Sequence, residues 1–186
     1  MLRPFADQPI RNGVAPTLET ERLVLRHFRA SDIDYFADAL ADPEVMRHIG
    51  GPNSREDAWR KMLTGAGFWS VTGIGMWIVD RKSDGASVGH LGFFDFQRDM
   101  QPSMAGEPEM GWIFSREGQG KGFATEGGQA ALEWFEATFG PQDIPAIIAI
   151  DNVPSMKVAE RLGFTRLDDG VYKDEPIAYF RRAAAA

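Results

Sequence analysis

The 186-residue sequence predicts one α/β (α+β) domain in which strands and helices interleave along the chain. Three stretches carry that prediction. Two apolar runs, residues 74–79 and 87–96, flank Asp80-Arg81-Lys82-Ser83-Asp84-Gly85, whose turn-forming residues make the pair an antiparallel hairpin. A strand-like run, Glu109-Met110-Gly111-Trp112-Ile113-Phe114, stops at Ser115-Arg116-Glu117 and gives way to alternating glycines and then a helical pattern. Ala146-Ile147-Ile148-Ala149-Ile150 is unbroken apolar sequence, as in a strand covered on both faces.

The remaining elements follow in order. Pro4, Pro9, Gly13 and Pro16 interrupt residues 1–20 without a sustained period, so residues 1–16 read as an irregular arm, 17–182 as the domain and 183–186 as a frayed tail. Residues 21–28 place Leu23 and Leu25 on one face of a strand. Ser31 caps a helix through Leu40, with Asp32 and Asp34 in the first turn, where negative charge meets the positive helix end. A short helix starts at Pro43. Ser54 caps another, with Trp59, Met62 and Leu63 as its apolar stripe and Gly65 or Gly67 as its end. Residues 97–106, with Pro102 and Gly106, read as a surface loop. Residues 124–139 carry Ala131, Leu132, Phe135 and Phe139 at helical spacing, stopped by Gly140-Pro141. Asp151-Asn152-Val153-Pro154-Ser155 opens the last helix, and residues 164–167 and 176–180 are closing strands around a turn at Asp168-Asp169-Gly170.

Composition narrows the function. With 44% apolar and 25% charged residues the chain is ordinary globular protein, and no apolar run approaches membrane-spanning length. The first residues lack a signal peptide's apolar segment, so the expected location is the cytoplasm, with no membrane partner. The absence of cysteine excludes disulfides, thiolate metal sites and a cysteine nucleophile. A net charge of −7 argues against a general nucleic-acid surface and is compatible with cationic amine substrates, although solubility alone explains it. His27, His48 and His90 show no metal-ligand spacing; no metal is expected, and each reads as a structural or surface residue.

The chemistry concentrates in Gly118-Gln119-Gly120-Lys121-Gly122-Phe123-Ala124-Thr125. Glycines at alternate positions let the backbone turn its N–H groups inward, and the following helix adds its positive dipole end, which together suit phosphate. A P-loop is excluded because Gly120-Lys121 is followed by Gly122 and the earlier glycine position holds Ser115. The Rossmann fingerprint is excluded because its third glycine falls on Phe123 or Thr125.

Glu117-x-x-Gly120-x-Gly122 resembles the acetyl-CoA loop of the GNAT acetyltransferase superfamily, although Glu117 replaces its usual Gln or Arg. Gly120-Lys121-Gly122-Phe123-Ala124-Thr125-Glu126 and the opening Glu19-Thr20-Glu21-Arg22-Leu23-Val24-Leu25-Arg26 are similar to the RimJ/RimL-like branch. A second motif, Asn152-x-x-Ser155 with Glu160 and Gly163-Phe164, stands where the superfamily places its second cofactor contact. The resemblance implies a mixed, mostly antiparallel central sheet of about six or seven strands flanked by helices, and acetyl-CoA as co-substrate. It implies cofactor contacts at Ile113, Phe114, Gly118, Gln119, Gly120, Lys121, Gly122, Phe123, Ala124 and Thr125, with Asn152 on the pantetheine arm and Lys157 and Arg161 near the adenosine phosphates.

Many members carry a tyrosine acid where this chain has Ala159, so Ser155, one turn earlier on the same helix face, is assigned to the leaving sulfur. Asn152 and Ser155 read equally as helix caps, and Lys157 and Arg161 as a solvated face. Glu109 is the candidate base, with Glu107, Asp95 and Asp151 in reserve; it reads also as a carboxylate that only orients the amine. The resulting expectation is acetyl transfer to a primary amine, either a small molecule or a protein N-terminus, by a monomer or homodimer. A non-catalytic acyl-CoA-binding or sensing module is the alternative.

Overall fold

Mostly apolar strands, covered on both faces, build the first sheet of the computed structural model, which describes residues 13–184. Strands β1 (Leu18–Glu19), β2 (Leu23–Arg26), β3 (Met76–Arg81), β4 (Ser87–Phe94) and β5 (Glu109–Phe114) pair antiparallel in that order. The side chains of Leu23, Leu25, Trp77, Leu91 and Phe93 fill one face of this sheet. Ile78 on the opposite face meets Phe36, Leu40, Met46 and Met62 from helices α1 (Ile33–Ala41), α2 (Pro43–Met46) and α3 (Arg55–Thr72). Burying each such side chain contributes about 1.5–3 kcal/mol.

A second sheet, in the order β6 (Ile144–Ala149), β8 (Glu175–Arg182), β7 (Thr165–Tyr172), continues the main core through Ile148, Ala178 and Phe180. Helix α4 (Phe123–Phe139) lays Leu132 and Phe135 into that core, and α5 (Val153–Arg161) adds Met156 and Ala159. The fold class is as expected, but the strands divide into two sheets, five and three, rather than one of six or seven.

The division falls between β5 and β6. Arg181 bridges their beginnings, with its guanidinium 2.6 Å from Glu107 and 3.4 Å from Asp143. Residues 42–48 bridge their ends: Asp42 pairs with Arg116 after β5, and His48 lies 2.8 Å from Asp151 after β6. The two strands therefore run side by side in the same direction, with no hydrogen-bonded ladder between them. Ser115 N–H donates to Val88 O, and Phe114 stands opposite Gly89. In an antiparallel pair bonded residues alternate, so Gly111 and Ile113 belong to the β4 ladder while Met110, Trp112 and Phe114 turn N–H and C=O toward the open edge.

Several expectations shift. Residues 1–12 of the arm and 185–186 of the tail lie outside the described residues. Residues 13–16 of the arm are tied down: Ala15 N–H donates to His27 Nδ1 and Pro16 O accepts from Trp77 Nε1, just before strand β1. Ser31 is not a cap: it lies inside a 3-10 turn, Ala30–Asp32, whose buried Asp32 reaches back to accept from Arg29 N–H at 2.6 Å, and α1 starts without a side-chain cap. Helix α3 passes Gly65 and Gly67 and ends at Gly73, where φ is 75°. Gly65 is buried within the helix beside Phe28 and Met76, where a Cβ would meet both at ordinary contact distance, 3.4 and 3.7 Å. Of the expected α3 stripe only Met62 is buried; Trp59 and Leu63 are exposed. The final turn is at Lys173-Asp174, both at positive φ as a tight hairpin turn requires, because Gly170 is spent beneath the Tyr179 ring.

Candidate functional site

The glycine loop leaves β5 through a narrow passage. A Cβ on Gly118 would stand 2.3 Å from Val88 O, so only glycine fits, and the N–H groups of Gly118 and Gln119 both donate to Ser115 O. Gly120 and Gly122 adopt φ of 70° and 78°, the left-handed region that other residues resist. Helix α4 then starts with Gly122 as its N-cap and no side chain capping it. Between residues 120 and 125, no backbone N–H finds a protein acceptor among the described residues. Those donors and the positive end of α4 form a ready anion seat.

A carboxylate close by does not occupy that seat. Glu126 turns back to accept from Thr20 Oγ1, Arg22 N–H and Arg22 Nε. Arg22 also donates to Lys121 O and lies over the Phe123 ring at 4.8 Å, so it braces the loop from β2. The opening Glu21-Arg22-Leu23 carried the strand signal but nothing that tied Arg22 to a loop a hundred residues away. Glu117 is exposed, 3.8 Å from Arg81, and Gln119 Nε2 donates to Phe114 O. Lys121 is exposed, whereas the Phe123 side chain is buried in the core and Ala124 and Thr125 are half-buried.

The second motif borders the same end of the gap, because α5 follows β6 as the loop follows β5. Asn152 Oδ1 accepts from Ser155 N–H at 3.2 Å, so Asn152 is the helix cap. Ser155 supplies only its N–H to that cap; its half-buried hydroxyl makes no hydrogen bond among the described residues. Ala159 is fully enclosed in the core, and Lys157 and Arg161 are exposed. Within β5, Phe114 turns its backbone to the gap, its C=O already engaged by Gln119 and its N–H open. Trp112, not singled out from the sequence, also turns its backbone to the gap nearer the middle, whereas Ile113 gives its backbone to β4 and its side chain to the α1–α3 side.

Glu109 stands at the far end, about 17 Å of strand from Phe114. It is not beside Ser155. Only 5% exposed, it accepts from Arg98 Nε at 2.7 Å and Arg98 Nη2 at 2.9 Å. Burial pushes its carboxyl above the usual range; Arg98 opposes that, and Asp95 adds to the rise. Arg98 lies between two rings, its Cζ 4.9 Å from the Phe96 centroid and 4.7 Å from that of Tyr172. Nothing in the sequence marks Arg98, since its loop has no period and its partner lies across a turn of unreadable shape. Among the reserve carboxylates, Glu107 pairs with Arg181, Asp95 accepts from Gly106 N–H, and Asp151 pairs with His48. A hollow of about 130 Å³ between residues 101–104 and β7–β8 lies outside the β5–β6 gap and is too small for a nucleotide.

None of the described helices is long and apolar enough to cross a membrane. A protein-family model described as "Acetyltransferase (GNAT) domain" matches residues 22–165. The chain is 28% identical over 157 residues to an uncharacterized N-acetyltransferase, YnaD, of Bacillus subtilis, covering 84% of this chain and 85% of that one. A putative GnaT-family acetyltransferase from Bordetella pertussis superposes with a TM-score of 0.80 at 28% identity, over 91% of this chain and all of the other. RimL, a ribosomal L7/L12 alpha-N-protein acetyltransferase solved with coenzyme A, superposes at 0.74 with 14% identity, over 91% and 98% of the two chains, a likeness of fold.

Proposed function

The chain belongs to the GNAT acetyltransferase family, and from that premise we propose that it transfers acetyl from acetyl-CoA to a primary amine by direct attack. The family makes it an acetyltransferase; the acceptor, the chemistry and the residue roles are our reading. One observation carries that reading: the unpartnered N–H groups of residues 120–125 open beside the unpaired edge of β5. The pyrophosphate of acetyl-CoA sits on those donors, and its extended pantetheine arm runs between β5 and β6 in place of the missing ladder. That carries the thioester away from the loop, toward Trp112 and Glu109.

Each step has a group. Trp112 N–H donates to the thioester oxygen as negative charge develops there. Glu109, directly or through one water, takes a proton from the acceptor ammonium, and the freed lone pair attacks the thioester carbon. The C–S bond breaks and the thiolate recovers a proton, with Ser155 supporting the sulfur. For a lysine-like amine, populating the neutral form at pH 7 costs about 5 kcal/mol; for an α-amine it costs about 1 kcal/mol. Gly120-Lys121-Gly122-Phe123-Ala124-Thr125-Glu126 supports the RimJ/RimL-like branch and hence a protein N-terminal α-amine; a small-molecule amine fits the same chemistry. A sensing module without turnover is the second reading, favoured by the Arg98 clamp on Glu109.

The test is calorimetry with acetyl-CoA followed by thiol release against amines and peptide N-termini. Acceptor-dependent thiol release is expected; binding without release from a broad panel supports the sensing module, and no binding removes the loop assignment. Gly122→Val should weaken acetyl-CoA at least tenfold, because it forces a branched residue to φ 78° at the anion seat. Equal affinity in a folded variant would count against the seat. Ser155→Ala should lower kcat only about three- to tenfold, since a thiol of pKa about 8.5 leaves with little help; identical kinetics would leave Ser155 without a chemical part.

A further inference from the structure

We propose that Arg98 occupies the seat of the acceptor's own cationic head, and that an acceptor with a primary ammonium beside an apolar or aromatic group binds by displacing it from Glu109. This rests on the reading that Glu109 serves the amine. The surroundings are those a cation needs: a buried carboxylate with both oxygens engaged, and aromatic rings on two sides. Phe96, one of those rings, is 44% exposed, so the seat reaches solvent along an aromatic wall. Phe94 and Phe68 extend that wall, with ring centroids 4.2 Å and 5.3 Å from Phe96. Phe94 folds over Gly111, the next residue after Glu109 on that face of β5, where any Cβ would stand 2.8 Å from its ring.

Arg98 enters this seat from a loop whose backbone is held. Met100 and Met104 are buried against Ile177 and Tyr179, and Tyr179 Oη donates to Gln101 O at 2.6 Å. The guanidinium thus leaves by side-chain rotation while the loop stays in place. Exchange of one cation for another keeps Glu109 balanced, whereas a neutral head would strand a buried carboxylate. Once there, the ammonium gives one proton to Glu109, leaving a neutral amine and a neutral carboxylic acid; burial favours that acid form. The amine then displaces the thiolate from the acetyl carbon of acetyl-CoA, and the second proton lost from nitrogen completes the thiol. Arg98 is therefore a selectivity device: acceptors unable to compete with a guanidinium stay out.

The test is calorimetric binding of protonated benzylamine at pH 7 to the unmodified protein, to Arg98→Met, to Arg98→Lys and to Arg98→Met/Glu109→Gln. Arg98→Met should bind at least tenfold tighter than the unmodified protein, Arg98→Lys should be intermediate, and the double variant should lose the gain. Benzyl alcohol, of the same shape and uncharged, should gain nothing. Arg98→Met binding no tighter than the unmodified protein, or the double variant binding as tightly as Arg98→Met, overturns the proposal. Should Arg98→Met fail to fold, Arg98→Lys decides in the same direction. Binding requires no turnover, so a failure here is separate from failure of thiol release in the unmodified protein, which would sink the transferase chemistry alone.

Discussion

Glu109→Gln should lower kcat/KM for a lysine-like amine at pH 7 by about 100- to 1,000-fold, the scale of a lost general base. The cause is the proton that such an amine carries. An ordinary glutamate is a poor acceptor at neutral pH, but burial raises Glu109, partly offset by its two hydrogen bonds from Arg98. The unmodified enzyme should therefore gain activity as pH rises through that raised value, and the glutamine variant should lose this acidic limb. An α-amine, already close to neutrality at pH 7, should suffer roughly tenfold less. Acetyl-CoA affinity measured on the same samples separates loss of the base from loss of the fold. A pH profile unchanged in shape would exclude Glu109 as the proton acceptor.

Acid should destabilise the fold through His90, by up to about 5 kcal/mol between pH 6.5 and pH 3. The imidazole is 2% exposed, packs 4.6 Å from the Phe36 ring and leaves Nδ1 without a partner. Burial, with a smaller contribution from Lys61, pushes its pKa from 6.5 down to about 3. Below pH 6.5 the unfolded chain takes a proton that the folded chain refuses, so stability is complete above that value and falls by about 1.4 kcal/mol per pH unit below it. His27, lowered by burial, acts in the same sense. Glu109, raised by burial, acts in the opposite sense and makes the net slope shallower. Asp32, whose burial is outweighed by its bonds from Arg26 and Arg29, falls below its reference of 3.8 and matters only in stronger acid. Urea unfolding of His90→Leu between pH 6.5 and 4.5 isolates the share of His90: the stability change over that range should differ by about 2 kcal/mol between the unmodified protein and the variant, the larger acid loss in the former. Equal slopes would move the acid sensitivity elsewhere.

The two turns of this chain read from sequence fared differently, and the reason is local. The six polar and glycine residues 80–85 close the β3–β4 hairpin between two apolar runs, the first two of them still in β3. Asp168-Asp169-Gly170 has the same composition, yet it lies inside β7 beside a register shift, because Tyr179 on β8 needs the space over Gly170. In the same way Gly118, read as part of a phosphate loop, is also a packing contact, since a Cβ there would stand 2.3 Å from Val88 O. A glycine states that a side chain would not fit; it does not state whether a turn or a neighbour is the cause.

The sequence by itself determined the strand, glycine loop and helix that make the anion seat, and the second motif after β6. Both depend on short stretches whose backbone geometry is set by their own residues: left-handed Gly120 and Gly122, and a cap made by Asn152 on Ser155. Only the tertiary structure decided what lies between those motifs. The missing ladder between β5 and β6, the Trp112 N–H facing the gap, Arg22 bracing the loop and Arg98 seated on Glu109 all join residues distant in sequence or carried by irregular loops. Such contacts follow from how two sheets and a loop share one core. No periodicity within a single segment encodes them.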